Sequence, residues 1–491
     1  MNTFGANGCR HVARQRESPM DTPTDAAHSR VYDGPTEYDG LSLLADPIHT
    51  YISLTVPTAS HPEETTEKDL IDSLWVQRLR SIYQLQSTRW VYPSAEHSRF
   101  QHSIGAMHVA GRFARHLYPS LKRTFPDLPS PYYVEEILRI AALLHDVGHG
   151  PFCHFFDQNI LAPFHLTHEQ IGQAIITDQL GHVIQAVSRS PHGSFLPGET
   201  IDPLHIAFLI LKDPNKESKH HPRWLNALQP ILGGVYTADN LDYVLRDAYM
   251  CGVAIGPVDL TRIIHYTFIT PQGMTIHKAG IPALQMFLNA RLYLYSNVYY
   301  HRTTRAIDIH LRDIFRDTMQ IMFPYHPLKH LEKYLFLTDA SLLEAVRQWP
   351  TSSDQTKQQL GNEWHHVLYR KTKWKTAYEV RLPVHENQWN RQPFESEQFE
   401  RRIRTFLPDT LKSVEFRVDI AYKDGRPVNP LNMGNFQIYV YDPSTRTVSK
   451  EALKDSFDFI PSRIAQLRIF ALNHDADAEL SHAAKAALDT I

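Results

Sequence analysis

Five apolar residues at helical spacing, Ile137, Ile140, Ala141, Leu144 and Val147, run straight into His145-Asp146 and then into Gly148 and Gly150-Pro151. A stripe of that kind is the buried face of a helix, and the glycines and proline stop it. The spacing predicts a helix over 135–147 that carries an imidazole and a carboxylate to the edge of a core. Helical periodicity returns at Asp239–Met250 and at Pro282–Thr303, the latter studded with tyrosine, while strand-like alternation is scarce from Asp46 to about Arg347. The expected fold is therefore mainly α over this region.

The pattern changes after Trp349. Ser352–Gln359 is a polar run that reads as a loop or linker. Beyond it Val414, Phe416, Val418 and Ile420 alternate with Glu415, Arg417 and Asp419, as on a half-buried strand, and Asp424-Gly425 supplies a turn. Phe436–Tyr441 reads as a second strand closed by Asp442-Pro443, followed by a helix and a short strand at Leu467–Ala471. A chain of 491 residues exceeds one ordinary core. The expected division is a solvated leader at 1–44, a helical domain at 45–348 and a smaller α+β lobe at 349–491; the leader is rich in Thr, Asp, Pro, Ser and Gly.

Composition removes some function classes. A formal net charge of −3 provides no general basic field for a polynucleotide, although one local basic patch would still suffice for nucleic acid. Cys9, Cys153 and Cys251 are odd in number and scattered, which argues against a disulfide framework and for the reducing cytoplasm. Cys153 reads as a small buried filler. The apolar stretches near Ile206–Leu211 and Ile140–Leu144 are too short to span a bilayer, so no membrane partner is expected. Histidine is abundant, with 29 copies.

Those histidines are clustered. His149 follows His145 by four residues, on the same helix face if the helix continues, and His154 comes soon after. Arg99-Phe100-Gln101-His102-Ser103 precedes a helical segment upstream; Thr167-His168-Glu169 reads as a capped helix start downstream; Asp239 opens Asp239-Asn240-Leu241-Asp242-Tyr243-Val244-Leu245-Arg246-Asp247. An adjacent His and Asp can both reach one divalent ion such as Zn, Fe, Mn or Mg. Alone the dipeptide would be a common capping pair.

The order His102, His145-Asp146, Asp239 is similar to the metal-binding pattern of the HD superfamily. Further strings resemble the deoxynucleoside triphosphate triphosphohydrolases of the SAM-and-HD-domain type: Asp46-Pro47-Ile48-His49, Gln77-Arg78-Leu79-Arg80, Arg99 to Gly105, Leu144 to Pro151, and Asp242-Tyr243 with Arg246-Asp247. The resemblance implies a divalent metal held by His102, His145, Asp146 and Asp239, a site able to activate water and offset charge at phosphorus. It implies His154 as the proton donor to the leaving 5′-oxygen, with His149 and His168 stabilising the phosphates. It also implies Arg99, Arg291 and Tyr243 on the phosphates, Asp247 and Tyr299 beside the sugar, and Gln84-Leu85 against it. Each histidine has a plain alternative as a satisfied structural residue, and Arg78 and Arg80 read equally as surface arginines of a helix. The other tyrosines near Tyr299 read as packing.

The resemblance further implies a guanine-nucleotide activator (GTP or dGTP) read by Asp72, Gln77 and Arg80, with Asp259 and Arg262 at a neighbouring pocket, in a homo-oligomer, dimer or tetramer. The chain departs from the family where a glycine run should follow Gln84-Leu85: here stand Gln86-Ser87-Thr88 and Arg89-Trp90, side chains beside the sugar pocket. No separate SAM-type helical domain is visible. The expected reaction converts a deoxynucleoside triphosphate into deoxynucleoside and tripolyphosphate. The alternatives are an HD phosphohydrolase for another nucleotide (monophosphate, cyclic or ribonucleotide), a two-iron HD oxygenase with His149 and His168 as extra ligands, and a catalytically silent nucleotide or nucleic-acid sensor.

Overall fold

The structure, a computed structural model, describes residues 38–212, 221–384, 395–427, 429–457 and 460–490. The expected leader lies outside the described residues up to position 37, and its last four residues open a strand instead. That strand, β1 (Leu41–Asp46), pairs antiparallel with β2 (Thr50–Thr55).

The centre of the molecule is built from helices. In α1 (Arg99–Thr124) the Gln101 side chain accepts a hydrogen bond from the Ser98 backbone N–H, closing the first turn. In α2 (Pro131–Leu144) Pro131 occupies the first turn, the Ser130 hydroxyl accepts from Tyr133 N at 3.2 Å, and every residue from Tyr133 to Leu144 is buried. α2 is thus buried on all sides from Tyr133 onward, a helix of the interior that takes Glu135, Glu136 and Arg139 in with its apolar residues. It ends at Leu144, earlier than the spacing predicts, so His145, Asp146 and His149 ride on the turn that follows and not on a continuing helix face. α3 (His168–Ala174) starts at Thr167, whose hydroxyl accepts from Gln170 N as expected. Gly148 touches α3 so closely that a Cβ there would lie 2.0 Å from the His168 carbonyl oxygen; only glycine lets the turn and the helix meet.

α4 (Ala238–Cys251) is framed by a reciprocal cap: Asn240 N donates to the Thr237 hydroxyl at 3.0 Å, and Thr237 N donates to Asn240 Oδ1 at 2.7 Å. Gly252, at φ 68°, closes its far end. A hairpin of β3 (Thr267–Thr270) and β4 (Gly273–His277) follows, so the region where strand alternation looked scarce holds three antiparallel pairs, the third a short one at 189–194. The helix expected over 282–303 is two helices. α5 (Ile281–Leu294) runs into a wider turn at Tyr295–Tyr299, where Tyr300 N reaches back to Tyr295 O, and the chain breaks before α6 (Arg302–Met322), which His301 caps through Thr303 N.

α7 (Asp339–Gln348) and α8 (Gln355–Leu368) complete the helical core. The polar run at 352–359 is therefore largely helix: Asp354 caps α8 by accepting from Thr356 N and Lys357 N. Next come β5 (Lys375–Val384), α9 (Ser396–Phe406), β6 (Phe416–Asp424), β7 (Ile438–Asp442), β8 (Thr447–Ser449), α10 (Ala452–Phe457), β9 (Arg463–Ala471) and α11 (Asp477–Asp489). β9 lies between β5 and β6 in an antiparallel sheet. Phe399, Ile403, Phe416, Leu467, Leu480 and Ala484 form its own apolar core with α9 and α11. β7 pairs parallel to β4, and Ile438, Val440, Leu453 and Phe457 join the larger helical core, so the last third of the chain is anchored in both. The architecture is mainly α, with a smaller α+β lobe. No described helix is long and apolar enough to cross a membrane.

Candidate metal and phosphate site

Four donors from three elements converge at the ends of α1, α2 and α4. His102 Nε2 stands 3.3 Å from His145 Nε2, 3.7 Å from Asp146 Oδ2 and 3.2 Å from Asp239 Oδ1. His145 Nε2 is 3.3 Å from Asp146 Oδ1 and 3.7 Å from Asp239 Oδ1. Bonds of about 2.1 Å at tetrahedral or octahedral angles put neighbouring donors about 3.0–3.4 Å apart; His102, His145 and Asp146 each offer a donor atom within 4.8 Å of the others, room for one cation, and Asp239 stands beside both imidazoles. The far nitrogens agree with that use. His102 Nδ1 faces Asp242 Oδ2 at 2.8 Å and His145 Nδ1 faces the Ala142 carbonyl at 2.7 Å, which directs both Nε2 lone pairs at the common point.

Electrostatics describe the same negative hole. Burial alone would push the His102 imidazole down, yet Asp239, Asp242 and Asp146 raise it to about 10. Asp146 and Asp239 are held well below the carboxylate range against their burial, Asp146 mainly by Arg99 and Asp239 mainly by Lys212. Arg99 Nη1 donates to Asp146 Oδ2, and Lys212 Nζ stands 3.0 Å from Asp239 Oδ2. Both cations thus border the convergent donors, as a polyanion held there would require.

The remaining histidines form a second cluster beside the first. His149 and His168 stack at 3.6 Å between ring centroids, and His149 Nε2 is 3.3 Å from Asp146 Oδ1. Asp157 gathers the group: its Oδ2 lies 2.7 Å from His168 Nδ1, 3.3 Å from His154 Nδ1 and 3.9 Å from His149 Nδ1. Those imidazoles hold the Asp157 carboxyl far below its usual range despite burial. His149 is fully buried, and burial, Arg99 and His168 keep it neutral. His154 is different, with 58% of its side chain exposed. Just before it Phe152 and Cys153 both take left-handed φ values of 59° and 48°, a strained pair held by Phe152 N on Asp339 and by Arg99 Nε on Cys153 Sγ. Cys153 is buried filler as expected, its thiol pushed up to about 12.

A cavity of about 410 Å³ opens beside the donors, within the range of small-molecule sites. Of the residues singled out from sequence it is lined by Gln84, Leu85, Arg99, Asp146, His154, Asp239, Tyr243, Asp247 and Tyr299. Asp247 accepts from Tyr299 Oη at 2.6 Å and faces His97 Nε2 at 2.8 Å. Arg291 does not line the cavity; its Nη1 donates to the Val235 carbonyl. None of Asp72, Gln77, Arg80, Asp259 and Arg262 lines it either. Gln77 Oε1 accepts from Arg80 Nε, Asp72 pairs with Lys68, and Asp259 caps a short helix through Arg262 N while bordering a separate cavity with His49, His108 and Arg112.

Sequence reasoning missed Asp157, Lys212, Thr304, Arg305 and Asp308. Asp157 follows His154 by three residues, a helical spacing that would have flagged it; Lys212 lies beyond the end of a helix, in no motif. Arg78 corrects a surface reading: it is buried, donating 2.7 Å bonds to the carbonyls of His149 and Leu337.

Comparison with known proteins fits this geometry. Residues 99–242 match the HD domain model, and residues 258–405 match the HD associated region. The uncharacterized protein YwfO of Bacillus subtilis is 29% identical over 326 residues, 63% of this chain; the chain spans 66% of the length of that protein, just short of two thirds. A Dictyostelium discoideum protein described as a deoxynucleoside triphosphate triphosphohydrolase SAMHD1 homolog is 24% identical over 454 residues, 90% of this chain and 79% of the relative. The crystal structure of a hypothetical protein from Aquifex aeolicus shares the fold, with a TM-score of 0.63 at 22% identity over 91% of this chain and 100% of that one.

Proposed function

The chain belongs to the HD-domain family, and from that premise we propose that it hydrolyses deoxynucleoside triphosphates to deoxynucleoside and tripolyphosphate. The observation that carries this reading is a cavity in which the carboxylates Asp146 and Asp239, with Arg99 and Lys212, meet His154, Gln84, Leu85, Tyr243, Asp247 and Tyr299. A divalent ion held by His102, His145, Asp146 and Asp239 would polarise water and offset charge developing at phosphorus.

The chain's own residues do the rest. Arg99 and Lys212 draw the triphosphate to the donor end; His149 and His168, stacked and buried, do not line the cavity themselves and act on the phosphates from behind Asp146. His154 reaches the cavity with Nδ1 turned to Asp157, leaving its other ring nitrogen to give a proton to the leaving 5′-oxygen. Loss of water around its ring on the cavity wall lowers the His154 pKa and Asp157 opposes the fall; a bound polyanion would oppose it too, helping to load the acid. Gln84 and Leu85 meet the sugar, with Asp247 and Tyr299 beside it. Guanine nucleotide acts as activator through Asp72, Gln77, Arg80, Asp259 and Arg262 in a homo-oligomer, and the setting is cytoplasmic.

Product analysis with each dNTP and NTP, supplied with Mg or Mn and with or without GTP, tests the reading. Release of deoxynucleoside and tripolyphosphate, abolished by Asp146→Ala, is the expected result. Failure to hydrolyse any triphosphate under either condition would overturn it, and identical activity and mass with and without GTP would remove the activator. One observation favours a second reading: His149, His154, Asp157 and His168 each offer a donor atom within 4.8 Å of the others, room for another ion. Two irons per chain and oxygen consumption would identify that two-metal oxygenase.

A further inference from the structure

Tyr243, Tyr295, Tyr299 and Tyr300 all line the cavity, and two of them have committed their protons. Tyr299 Oη donates to Asp247 Oδ2 at 2.6 Å, and Tyr300 Oη donates to the Tyr422 carbonyl at 2.8 Å. Tyr295, which reads as packing in the sequence, stands beside both, its ring 4.8 Å from that of Tyr299 and 5.8 Å from that of Tyr300. Its hydroxyl is faced by two donors, the Lys423 ammonium and the Tyr243 phenol. Lys423 Nζ lies 3.7 Å from the centre of the Tyr295 ring, and among the described residues no carboxylate forms an ion pair with it.

Lys423 does not line the cavity. It belongs to β6, in the α+β lobe, and the sheet that holds it grips the same wall at three more points. Asp419 accepts from Arg305 Nε and Nη2 at 2.9 and 2.6 Å, and the Tyr422 carbonyl takes the Tyr300 proton. Gln466 of β9, fully buried, donates to the Ser296 carbonyl at 2.9 Å. Arg305 lines the cavity with Tyr295 and Tyr300, and Ser296 belongs to the wide turn at Tyr295–Tyr299. Wide turns of this kind are rare and recur at functional sites; this one is held from the lobe.

The donors around Tyr295 decide what it can offer. A phenol carries one proton and oxygen lone pairs. With Lys423 and Tyr243 supplying protons to its oxygen, Tyr295 keeps its own for an acceptor in the cavity. Burial pushes this phenol up, yet Lys423, then Tyr243 and Arg291, bring it below the usual tyrosine range, which makes it a stronger donor. Tyr243 and Tyr299 are both pushed the other way, first by burial. We propose that the lobe completes the cavity: Tyr295 is a nucleotide-binding residue that donates its proton to an oxygen of the ligand, and Lys423 positions it for that contact. The inference rests on the proposed reading of the cavity as a nucleotide site. A nucleoside triphosphate is rich in acceptor oxygens, on its phosphates and its sugar, and so meets the proton that Tyr295 has left. Lys423 acts from outside the cavity, through the ring it covers.

Binding and turnover of dATP, dCTP, dGTP and dTTP, measured separately on the full chain, test this; binding is read with calcium, turnover with magnesium or manganese. Tyr295→Phe and Lys423→Met both keep the shape of the side chain. Tyr295→Phe should weaken binding and raise KM about tenfold, the worth of one hydrogen bond, with a smaller change in kcat. Lys423→Met should weaken binding about threefold or more, the scale of one cation–ring contact, and Lys423→Arg, which also stacks on aromatic faces, should restore most of it. In the Tyr295→Phe background Lys423→Met should cost less than it does in the wild type. Phenolate absorbance in an alkaline titration reads the pair without nucleotide: one phenol should ionise ahead of the ordinary tyrosines, vanish in Tyr295→Phe and move up in Lys423→Met. Absent turnover with binding weakened in both variants would overturn the activity and leave this inference standing. Wild-type affinity in Tyr295→Phe, or no binding of any nucleotide, would overturn the inference. A Lys423→Met loss that is absent or equal in both backgrounds, or a titration step that stays where it was, would overturn the part given to the lobe.

Discussion

Arg78→Met tests whether the turn that carries His149 is held from behind. The Arg78 guanidinium is buried 4.8 Å over the Tyr334 ring, with Nη1 on the His149 carbonyl and Nη2 on the Leu337 carbonyl; Tyr334 Oη in turn donates to the Gly148 carbonyl at 2.8 Å. Methionine keeps the length of the stem but leaves two buried carbonyls without donors, at about 1–3 kcal/mol each. Relief of burying a guanidinium, whose pKa is itself pulled down by desolvation, returns part of that. A net loss of about 2–4 kcal/mol follows, a large share of an ordinary folding free energy. Arg78→Lys, able to reach one carbonyl, should lose about half as much. Because a displacement of about 1 Å at a reacting group costs roughly 100-fold, kcat/KM should fall by that order in Arg78→Met while the bound metal stays near wild type. Urea denaturation, turnover and metal content read the three effects. An unchanged urea midpoint together with unchanged turnover would refute the reasoning.

Three more outcomes are expected. Asp157→Asn should lower kcat about 100-fold with metal content intact, the usual scale for a lost acid–base partner. Because the Asp157 pKa is depressed in the native state, its stabilisation is present above the ordinary aspartate value and lost on acidification, and the variant's stability should be the less sensitive to acid; urea midpoints at pH 3 and 7 compare them. Lys212→Gln should raise KM about tenfold with a smaller change in kcat, since it removes a phosphate-facing charge and frees Asp239; substrate titration at two ionic strengths measures this. Glu136 is fully buried with neither carboxyl oxygen hydrogen-bonded, and burial followed by the neighbouring Glu67 pushes its pKa well up. The native state therefore takes up that proton before the unfolded chain does, and stability from this group falls as pH rises from the ordinary glutamate value through the native one. Glu136→Gln should match wild type at pH 4 and exceed it at pH 8 in urea midpoint; parallel curves would sink the idea.

What could be read before the structure depended on whether a signal was local. The stripe ending at Leu144, the Thr167 cap and the strand through Val418 lie within single elements, and periodicity exposes them. The break between α5 and α6 carries no glycine or proline; it comes from a wide turn of tyrosines, which periodicity cannot distinguish from helix. α9 buries only Phe399 and Ile403 and looks polar along its length. The order of His102, His145-Asp146 and Asp239 was legible as a motif, and the structure gathers His102, His145 and Asp146, with Asp239 beside the two imidazoles. Lys212 and Asp308 were not, because what marks them is a neighbour far away in sequence: Asp239 for the one, Ser87 for the other.

The strings that carried the family resemblance beside the His-Asp pair converge on Asp242. Its Oδ1 meets His49 Nε2 at 2.7 Å and Arg246 Nη2 at 2.8 Å, and Oδ2 orients His102; Asp46 closes the ring by accepting from Arg246 Nη1 at 2.8 Å. Arg246 and His102 hold the Asp242 carboxyl far below its usual range against its burial, so it is an acceptor at neutral pH. This cluster fits only because α1 presents Gly105 to it: a Cβ at that position would lie 1.9 Å from Asp242 Oδ1 and 2.3 Å from Arg246 Nη2. A methyl group there would have to displace the carboxylate that fixes the His102 ring. His102 is therefore set by a charged network one layer behind it, and that network by the absence of a single side chain on the helix it crosses.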